Sequence, residues 1–221
     1  MCARRPVVSC ASAVSKSLIS VLKDELKYER EYYRRDEALA SPPPNGFQID
    51  NPPGKNAFYL LKEFNGEAIV VEVDLDNQQP DAGDEDEDED GEGPNDEDDD
   101  DEIVPVKFRV SVSKGTSALI FECDSDGEYV GIAHIAHETA EDAAAGGDND
   151  DDGTPGYTGP VFEELDDTLQ QAFLDFLEER GVTAELGGYL RVMSADKTAV
   201  EYMAWLGRIK DFVALPSESE K

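Results

Sequence analysis

The sequence predicts an α+β fold in which an antiparallel meander sheet is flanked by one N-terminal helix and by C-terminal helices. Between residues 47 and 138, apolar residues alternate with polar ones along several short stretches, as in half-buried strands. Before and after this region, at residues 15–36 and 157–213, apolar residues recur at helical spacing. Short turns between successive strands favour antiparallel neighbours, and an apolar sheet face is the partner that such helices need.

The charge of the chain narrows the class of partner. There are 52 acidic and 19 basic residues, for a formal net charge of -33. Such acidity argues against nucleic acid or an anionic membrane as the direct partner, because both are bound through basic surfaces. It favours basic proteins, cationic segments or metal cations. At 221 residues we expect one domain with long loops, over residues 15–213, and a tail at 214–221.

Residues 1–14 differ in composition from the rest of the chain. They include Arg4 and Arg5, and no acidic residue precedes Asp24. This composition is typical of the end of an organelle transit peptide, and the alternative is an ordinary frayed N-terminus. The three cysteines include no CxxC pair, which favours a reducing compartment, and no apolar run is as long as a membrane span.

The first helix is predicted directly after Ser15. Charged residues alternate on its polar face, so packing on a sheet or a helix is a better interpretation than a membrane-surface role. The proline-rich residues 41–46 end it as a stiff connector. Its apolar face is predicted to carry Leu18, Val21, Leu22 and Leu26.

The two clearest strands are residues 69–75 and 104–112, where Val and Ile recur at every second position. Asn65-Gly66 predicts a two-residue hairpin turn that joins the first of these to a strand at 58–64. Gly-containing turns at 114–116 and 126–127 lead into two further predicted strands, at 118–124 and 129–137.

The C-terminal region is predicted to form several helical pieces. Pro160 and the acidic residues that follow suit a helix N-terminus, and Gly181 suits a helix end in the left-handed conformation. Thr183 and Ser194 can each cap a further helical piece. The last piece has an apolar face that is predicted to point towards a core. This face contains Val200, Met203, Leu206, Ile209 and Val213.

Two acidic stretches interrupt this order. Residues 81–102 are nearly pure Asp and Glu, and residues 140–156 are mainly Ala, Gly and Asp, so both are predicted to be mobile loops. The first stretch, here called the acidic tract, is the main functional candidate, because its charge would attract basic partners. The alternative is that it serves only as a solubilising spacer. Its candidate partner-binding residues are Asp84, Glu85, Asp86, Glu87, Asp88, Glu89, Asp90, Asp98, Asp99, Asp100 and Asp101.

No catalytic, cofactor or metal site is predicted. His134 and His137 lie three apart on a predicted strand, so they point to opposite faces and cannot share an ion. Residues 148–153 imitate the start of a calcium loop, but Gly159 stands where a bidentate glutamate is required. Cys123 is interpreted as a small core residue. The chain is therefore predicted not to be an enzyme, and a catalytic site between subunits remains the alternative.

Several segments resemble one protein family in their amino-acid sequence and in their order along the chain. They are KSLISVLKDELKYE, LLKEFNGEAIVVEV, VPVKFRVSVSKGTSALIFECDSDGEYV, YTGPVFEELDDTLQQAFLDFLEERGV and EYMAWLGRIKDFV. Together they resemble the mitochondrial acidic matrix proteins, also called the mitochondrial glycoprotein family, and look closest to plant or algal members. None of these segments is a catalytic motif, so the specificity of the match comes from their number and order.

The resemblance implies a strongly twisted sheet of about seven strands and a ring-shaped homotrimer. It also implies residence in the mitochondrial matrix and no established enzymatic activity. The implied function is that of an acidic, multi-ligand, chaperone-like adaptor that supports mitochondrial translation and oxidative phosphorylation. Its expected partners are further copies of itself and basic proteins, such as ribosomal or RNA-binding proteins. The alternatives are a low-affinity calcium buffer and a nuclear, histone-chaperone-like acidic protein.

Overall fold

The computed structural model describes residues 13–78, 104–139 and 159–215. The chain divides into two compact units, one within Glu37–Ser194 and the other made of Met1–Asp36 and Ala195–Lys221. The first unit is called here the sheet unit and the second the helix-pair unit. The assignment of residues 15–213 to one domain stays a prediction, and so does the targeting role of residues 1–14.

The sheet unit contains a six-stranded antiparallel meander, in which each strand pairs with its neighbours in sequence. The predicted α+β fold is therefore confirmed, although about seven strands were expected and the described residues form six. The strands are β1 Gln48–Asp50, β2 Ala57–Phe64, β3 Glu67–Asp74, β4 Val106–Lys114, β5 Ser117–Ser125 and β6 Gly131–Thr139.

The hairpin between β2 and β3 forms where the sequence predicts it. Asn65 and Gly66 have φ values of 50° and 80°, and Phe64 pairs with Glu67 across the turn. Positive φ at both central residues is the conformation that matches the right-handed twist of the flanking strands. This turn fixes the register, and so it places Ile69, Val71 and Val73 on one face of the sheet.

That face, here the inner face, carries the main core. Val71 and Val73 are 0% exposed, as are Phe58 and Leu60 on β2. Helices α2 (Asp167–Glu179) and the first part of α3 (Ala184–Ala214) contribute the other side of this core. Their core residues are Leu177, Leu186, Leu190 and Met193. Short 3-10 helices lie at Glu37–Ala40, Pro44–Gly46, Leu75–Gln78 and Phe162–Glu164.

Helix α2 has a defined start and end. The side chain of Asp166 caps its N-terminus by accepting a 3.0 Å hydrogen bond from the Thr168 backbone N–H. At the other end, Gly181 has a φ of 89°, its N–H donates to Glu178 O, and Val182 N–H donates to Leu177 O. This pair of bonds is a Schellman motif, so the predicted helix stop at Gly181 is confirmed.

The prediction that a separate helical piece begins at Ser194 is wrong. Ser194 does not cap a new helical piece, because it is buried inside a single helix of 31 residues. A serine in mid-helix costs little compared with a glycine or a proline, and packing of the neighbouring apolar residues decides the outcome. Gly187 lies opposite the β5–β6 turn, where an added Cβ would collide with Ser125 Oγ.

In the helix-pair unit, α1 (Ala13–Tyr32) packs against the last part of α3. Tyr33 Oη donates to Asp196 Oδ1 at 2.7 Å, and Tyr202 Oη donates to Glu25 Oε1 at 3.1 Å, so the two helices run antiparallel. Leu22 and Leu26 are buried as predicted, but Leu18 and Val21 are 43% and 61% exposed. The core of this unit is narrow, because one neighbouring helix covers only a narrow strip of α1.

Candidate interaction surface

The predicted partner-binding residues of the acidic tract, Asp84–Asp90 and Asp98–Asp101, lie outside the described residues, and so do residues 148–153. One group of described acidic residues lies on the sheet face opposite the core, here the outer face. This face was missed by sequence reasoning, because its pattern depends on which residues are paired across the strands.

One row of residues crosses all six strands on the outer face. Directly paired residues of an antiparallel sheet lie on the same face, so the pairings define a continuous line. From β1 to β6 this line, here the outer row, contains Asp50, Tyr59, Glu72, Arg109, Glu122 and His134. Three of its six members are acidic, and one, Arg109, is a permanent cation.

Further carboxylates flank the outer row on the same face. Glu63 and Glu138 lie beyond a partly apolar row on one side, and Asp74 and Asp124 lie on the other side. Lys107, which pairs with Asp124, is a second cation of this face. The acidic side chains outnumber the basic ones, so the outer face carries a net negative charge. A surface of this kind attracts cationic proteins over a range of about 8 Å at physiological ionic strength.

Arg109 neutralises the centre of the outer row. Its Nε donates to Glu122 Oε1 at 2.7 Å, and both side chains are about half exposed. Partial burial works against the charged guanidinium, but the carboxylate of Glu122, with Glu72 and Glu138 nearby, raises the pKa of Arg109. The charge of Glu72 likewise raises the pKa of Tyr59. Arg109 therefore occupies a position that a basic group of a partner would otherwise take.

The pKa values of two aspartates at the end of β5 and in the turn after it are shifted in opposite directions. Burial, followed by repulsion from Asp126, raises the pKa of Asp124, while Lys107 partly opposes this. The backbone N–H groups of Glu128 and Tyr129 donate to Asp126 and lower its pKa, although burial acts in the opposite direction. The charged form of Asp126 is thus stabilised by its own turn, whereas that of Asp124 is disfavoured.

The residues that sequence analysis weighed as catalytic or metal-binding do not come together. His134 pairs with Glu122 and His137 with Leu119, three positions apart on β5, so the two histidines lie on opposite faces. Cys123 is buried in the core, and burial, with Asp124 and Glu122, raises the pKa of its thiol. Within residues 13–78, 104–139 and 159–215, no cluster of three potential metal ligands is found.

A buried charged cluster holds the end of α2 on the sheet. Arg180 Nε donates to Glu67 Oε2 at 2.8 Å, its Nη1 donates to Phe176 O at 2.8 Å, and its guanidinium lies 3.3 Å from the centroid of the Phe176 ring. Lys62 Nζ donates in turn to Arg180 O at 2.8 Å. Every one of these donors has a protein acceptor, which is typical of a structural cluster and not of a reactive site.

A cavity of about 410 Å³ opens beside this turn, between the end of α2 and the start of α3. Its apolar lining comes from Val130, Leu174 and Val182. Its charged lining consists of Glu178 and Glu185, both exposed. Sequence reasoning missed this cavity, because its walls come from segments that are far apart in the chain. The remaining lining residues are Asn45, Thr183 and Ala184.

Each helix of the helix-pair unit carries an exposed apolar stripe. On α1 this stripe contains Val14, Val21 and Tyr28 at seven-residue spacing, which places them on one face. On α3 it contains Trp205 and Phe212, 48% and 72% exposed, again seven residues apart. The two are named here the helix-pair stripes. No helix in the described part of the chain is long and apolar enough to cross a membrane.

The comparisons with known proteins agree on one family. The model of the family described as "Mitochondrial glycoprotein" matches residues 22–213. An uncharacterized mitochondrial protein of Arabidopsis thaliana is 29% identical over 204 residues, covering 90% of this chain and 74% of that protein. The mitochondrial acidic protein mam33 of Schizosaccharomyces pombe is 26% identical over 211 residues, covering 89% of this chain and 77% of that protein.

Solved structures show the same fold. A hypothetical protein from Leishmania major, described as a sequence homologue of human p32 protein, superposes with a TM-score of 0.67 at 22% identity. The p22 protein of Trypanosoma brucei also gives a TM-score of 0.67, at 23% identity. The alignments cover 91% and 92% of this chain and 100% of each of those chains.

Proposed function

Because the chain belongs to the mitochondrial glycoprotein family and is a mitochondrial acidic protein, we propose that it is a non-enzymatic, chaperone-like adaptor of the matrix that captures basic proteins. The observation that carries this proposal is the acidic outer face, on a chain with a net charge of -33. The partners that this charge favours are basic ribosomal or RNA-binding proteins.

Capture of this kind must be multivalent. One exposed ion pair contributes only about 0 to 1 kcal/mol, so useful affinity requires many pairs acting together. The outer face offers carboxylates on β1, β2, β3, β5 and β6, and the acidic tract adds more. Binding is expected to weaken steeply as salt is raised, because exposed charges are screened.

The test is titration of the protein with a purified basic ribosomal protein, at low and at physiological salt. Arg109→Gln removes the cation at the centre of the outer row and is expected to tighten binding several-fold. Arg30→Gln changes the net charge equally at an exposed site on α1, and it serves as the matched control. Equal effects of the two variants would mean that net charge alone matters and that the outer face is not the capturing surface.

The acidic tract has a separate test. Replacing its Asp and Glu residues by Asn and Gln keeps the length of residues 81–102 and removes their charge. This variant is expected to bind the basic protein more weakly while its thermal unfolding stays unchanged. Unchanged affinity would assign the tract to solubility and leave capture to the outer face.

We also propose that the chain acts as a homotrimer, as the resemblance implies. The helix-pair stripes support self-association, because large exposed apolar side chains on a soluble unit mark interaction sites. Light scattering of the intact chain is expected to give the mass of three chains.

In mitochondria, loss of the protein is expected to reduce the synthesis of mitochondrially encoded proteins and, through it, oxidative phosphorylation. Pulse-labelling of translation products measures this effect.

A further inference from the structure

Resting on the proposed capture of basic proteins, we propose that the cavity between the end of α2 and the start of α3 receives an arginine side chain of the basic partner. The outer face supplies attraction over a broad area through exposed charges on several strands. The cavity adds a concave feature in the same sheet unit. It would convert general electrostatic attraction into a preference for arginine.

The shape and lining of the cavity suit a side chain with an apolar stem. Its volume of about 410 Å³ lies within the range of pockets that hold small ligands, about 300–1,000 Å³. Val182 is 2% exposed, and Leu174 and Val130 are half-buried, so these three residues form an apolar floor. The methylene groups of arginine can lie on such a floor while the guanidinium stays near water.

The charge of the lining favours a cation. Glu178 comes from the last turn of α2 and Glu185 from the first turn of α3. The first turn of α3 opposes this preference, because a helix N-terminus carries about half a positive charge. Two full carboxylate charges exceed that partial charge. A planar guanidinium with five donors can serve two carboxylates at once, whereas an ammonium acts as a point charge.

The walls of the cavity are already held in place. Asn45 Nδ2 donates to Gly181 O and to Thr183 Oγ1, both at 3.0 Å. Thr183 Oγ1 also accepts from Leu186 N–H at 3.4 Å, and the Schellman motif at Gly181 fixes the connection between the two helices. A preformed site loses little conformational entropy when it binds, so even a single side chain can add affinity.

The test compares nona-arginine with nona-lysine, which carry equal charge, by calorimetry at physiological salt. Because a guanidinium can serve both carboxylates and an ammonium acts as a point charge, we expect nona-arginine to bind about tenfold more tightly. Ala184→Leu fills the cavity from its lining without changing any charge, and it is expected to abolish the preference while leaving the affinity for nona-lysine unchanged.

A second pair of variants tests the charge. Glu178→Gln with Glu185→Gln is expected to remove the arginine preference, whereas Glu163→Gln with Glu164→Gln removes the same charge outside the cavity and should retain it. These pairs also decide the matter if Ala184→Leu does not fold. Equal affinity of the wild-type protein for both peptides would overturn the cavity proposal and leave acidic capture intact. Binding of neither peptide would overturn acidic capture as well.

Discussion

At the scale of single residues, the packing of α3 against the turn after β5 depends on a glycine. The turn after β5 reaches the helix at Gly187, and a Cβ added there would collide with the side chain of Ser125, which is 0% exposed. We predict that Gly187→Ala destabilises the protein by about 1–3 kcal/mol, because the helix must shift away from the turn. Urea unfolding followed by circular dichroism measures this change.

Gly207 in the same helix provides the control. Nothing lies within 4 Å of the position that its Cβ would take. Gly207→Ala is therefore expected to stabilise the protein by about 0.5–1 kcal/mol, the ordinary helix-propensity gain. Adding Ser125→Gly to Gly187→Ala removes the colliding side chain and should recover part of the loss. If Gly187→Ala and Gly207→Ala change the free energy of unfolding in the same direction, the close approach does not constrain the helix.

Asp124 and Asp126 are expected to make the stability of the fold respond to pH in opposite directions. The folded-state pKa of Asp124 is raised, so its ionisation destabilises the fold as pH rises through the interval between its unfolded and folded values. Asp124→Asn is therefore expected to be more stable than the wild type at pH 7, with a difference that disappears below the ordinary carboxyl pKa. Thermal unfolding at stepped pH measures both.

The ionisation of Asp126 affects the stability of the fold in the opposite direction. Its folded-state pKa is lowered, so its charge stabilises the fold above the unfolded value, and this contribution is lost as pH falls through the folded value. Asp126→Asn is expected to be less stable than the wild type at pH 7 and equal to it in acid. The same sign for both variants would mean that the shape of the turn, and not its charge, sets their stability.

At the scale of elements, the pair formed by Arg180 and Glu67 docks α2 on the sheet. Both side chains are about nine-tenths buried, so Arg180→Met leaves Glu67 with a poorly compensated buried charge. Loss of one partner of such a pair costs about 3–5 kcal/mol. We expect the lower end, because Lys114 Nζ lies 3.7 Å from Glu67 Oε1. Adding Glu67→Met should restore much of the loss in urea unfolding, and additive losses would contradict a coupled pair.

Much of the element order could be predicted because the signals are local. Asn65-Gly66 specifies a hairpin by its own backbone preferences, and Gly181 ends α2 in the same way. Ser194 misled the prediction because capping residues also occur inside helices whose packing is favourable. The burial of Glu67 was missed for a related reason: its partner Arg180 lies far along the chain, and only the folded sheet brings the two together.

At the scale of the whole molecule, the candidate surfaces were harder to predict than the fold. The acidity of the chain indicated basic partners from composition alone, and the acidic tract stays a prediction because it lies outside the described residues. The outer row could be predicted only from the pairing of six strands, and the cavity only from the meeting of three segments that are distant in sequence. Alternation predicts that a strand has two faces, but it does not predict which charges become neighbours across the sheet.

The helix-pair stripes lead to the last prediction, which concerns assembly. Trp205 and Phe212 are exposed on α3, and burying a large apolar side chain contributes about 1.5–3 kcal/mol. We predict that Trp205→Ser with Phe212→Ser raises the dissociation constant of the proposed trimer by at least about a hundredfold, since each 1.4 kcal/mol is tenfold. Light scattering across a dilution series would show single chains where the wild type shows three.

Val104 is the matched control for this experiment, because it is a 55% exposed apolar residue of the sheet unit and Val104→Ser removes apolar surface outside the stripes. That variant should keep the mass of three chains. Circular dichroism separates loss of assembly from loss of folding, since the double variant is expected to retain its helix content. A wild-type mass of one chain would overturn the trimer, and an unchanged trimer in the double variant would place its interface away from the helix-pair stripes. Assembly would strengthen multivalent capture, because three outer faces held together can engage one basic partner at several points.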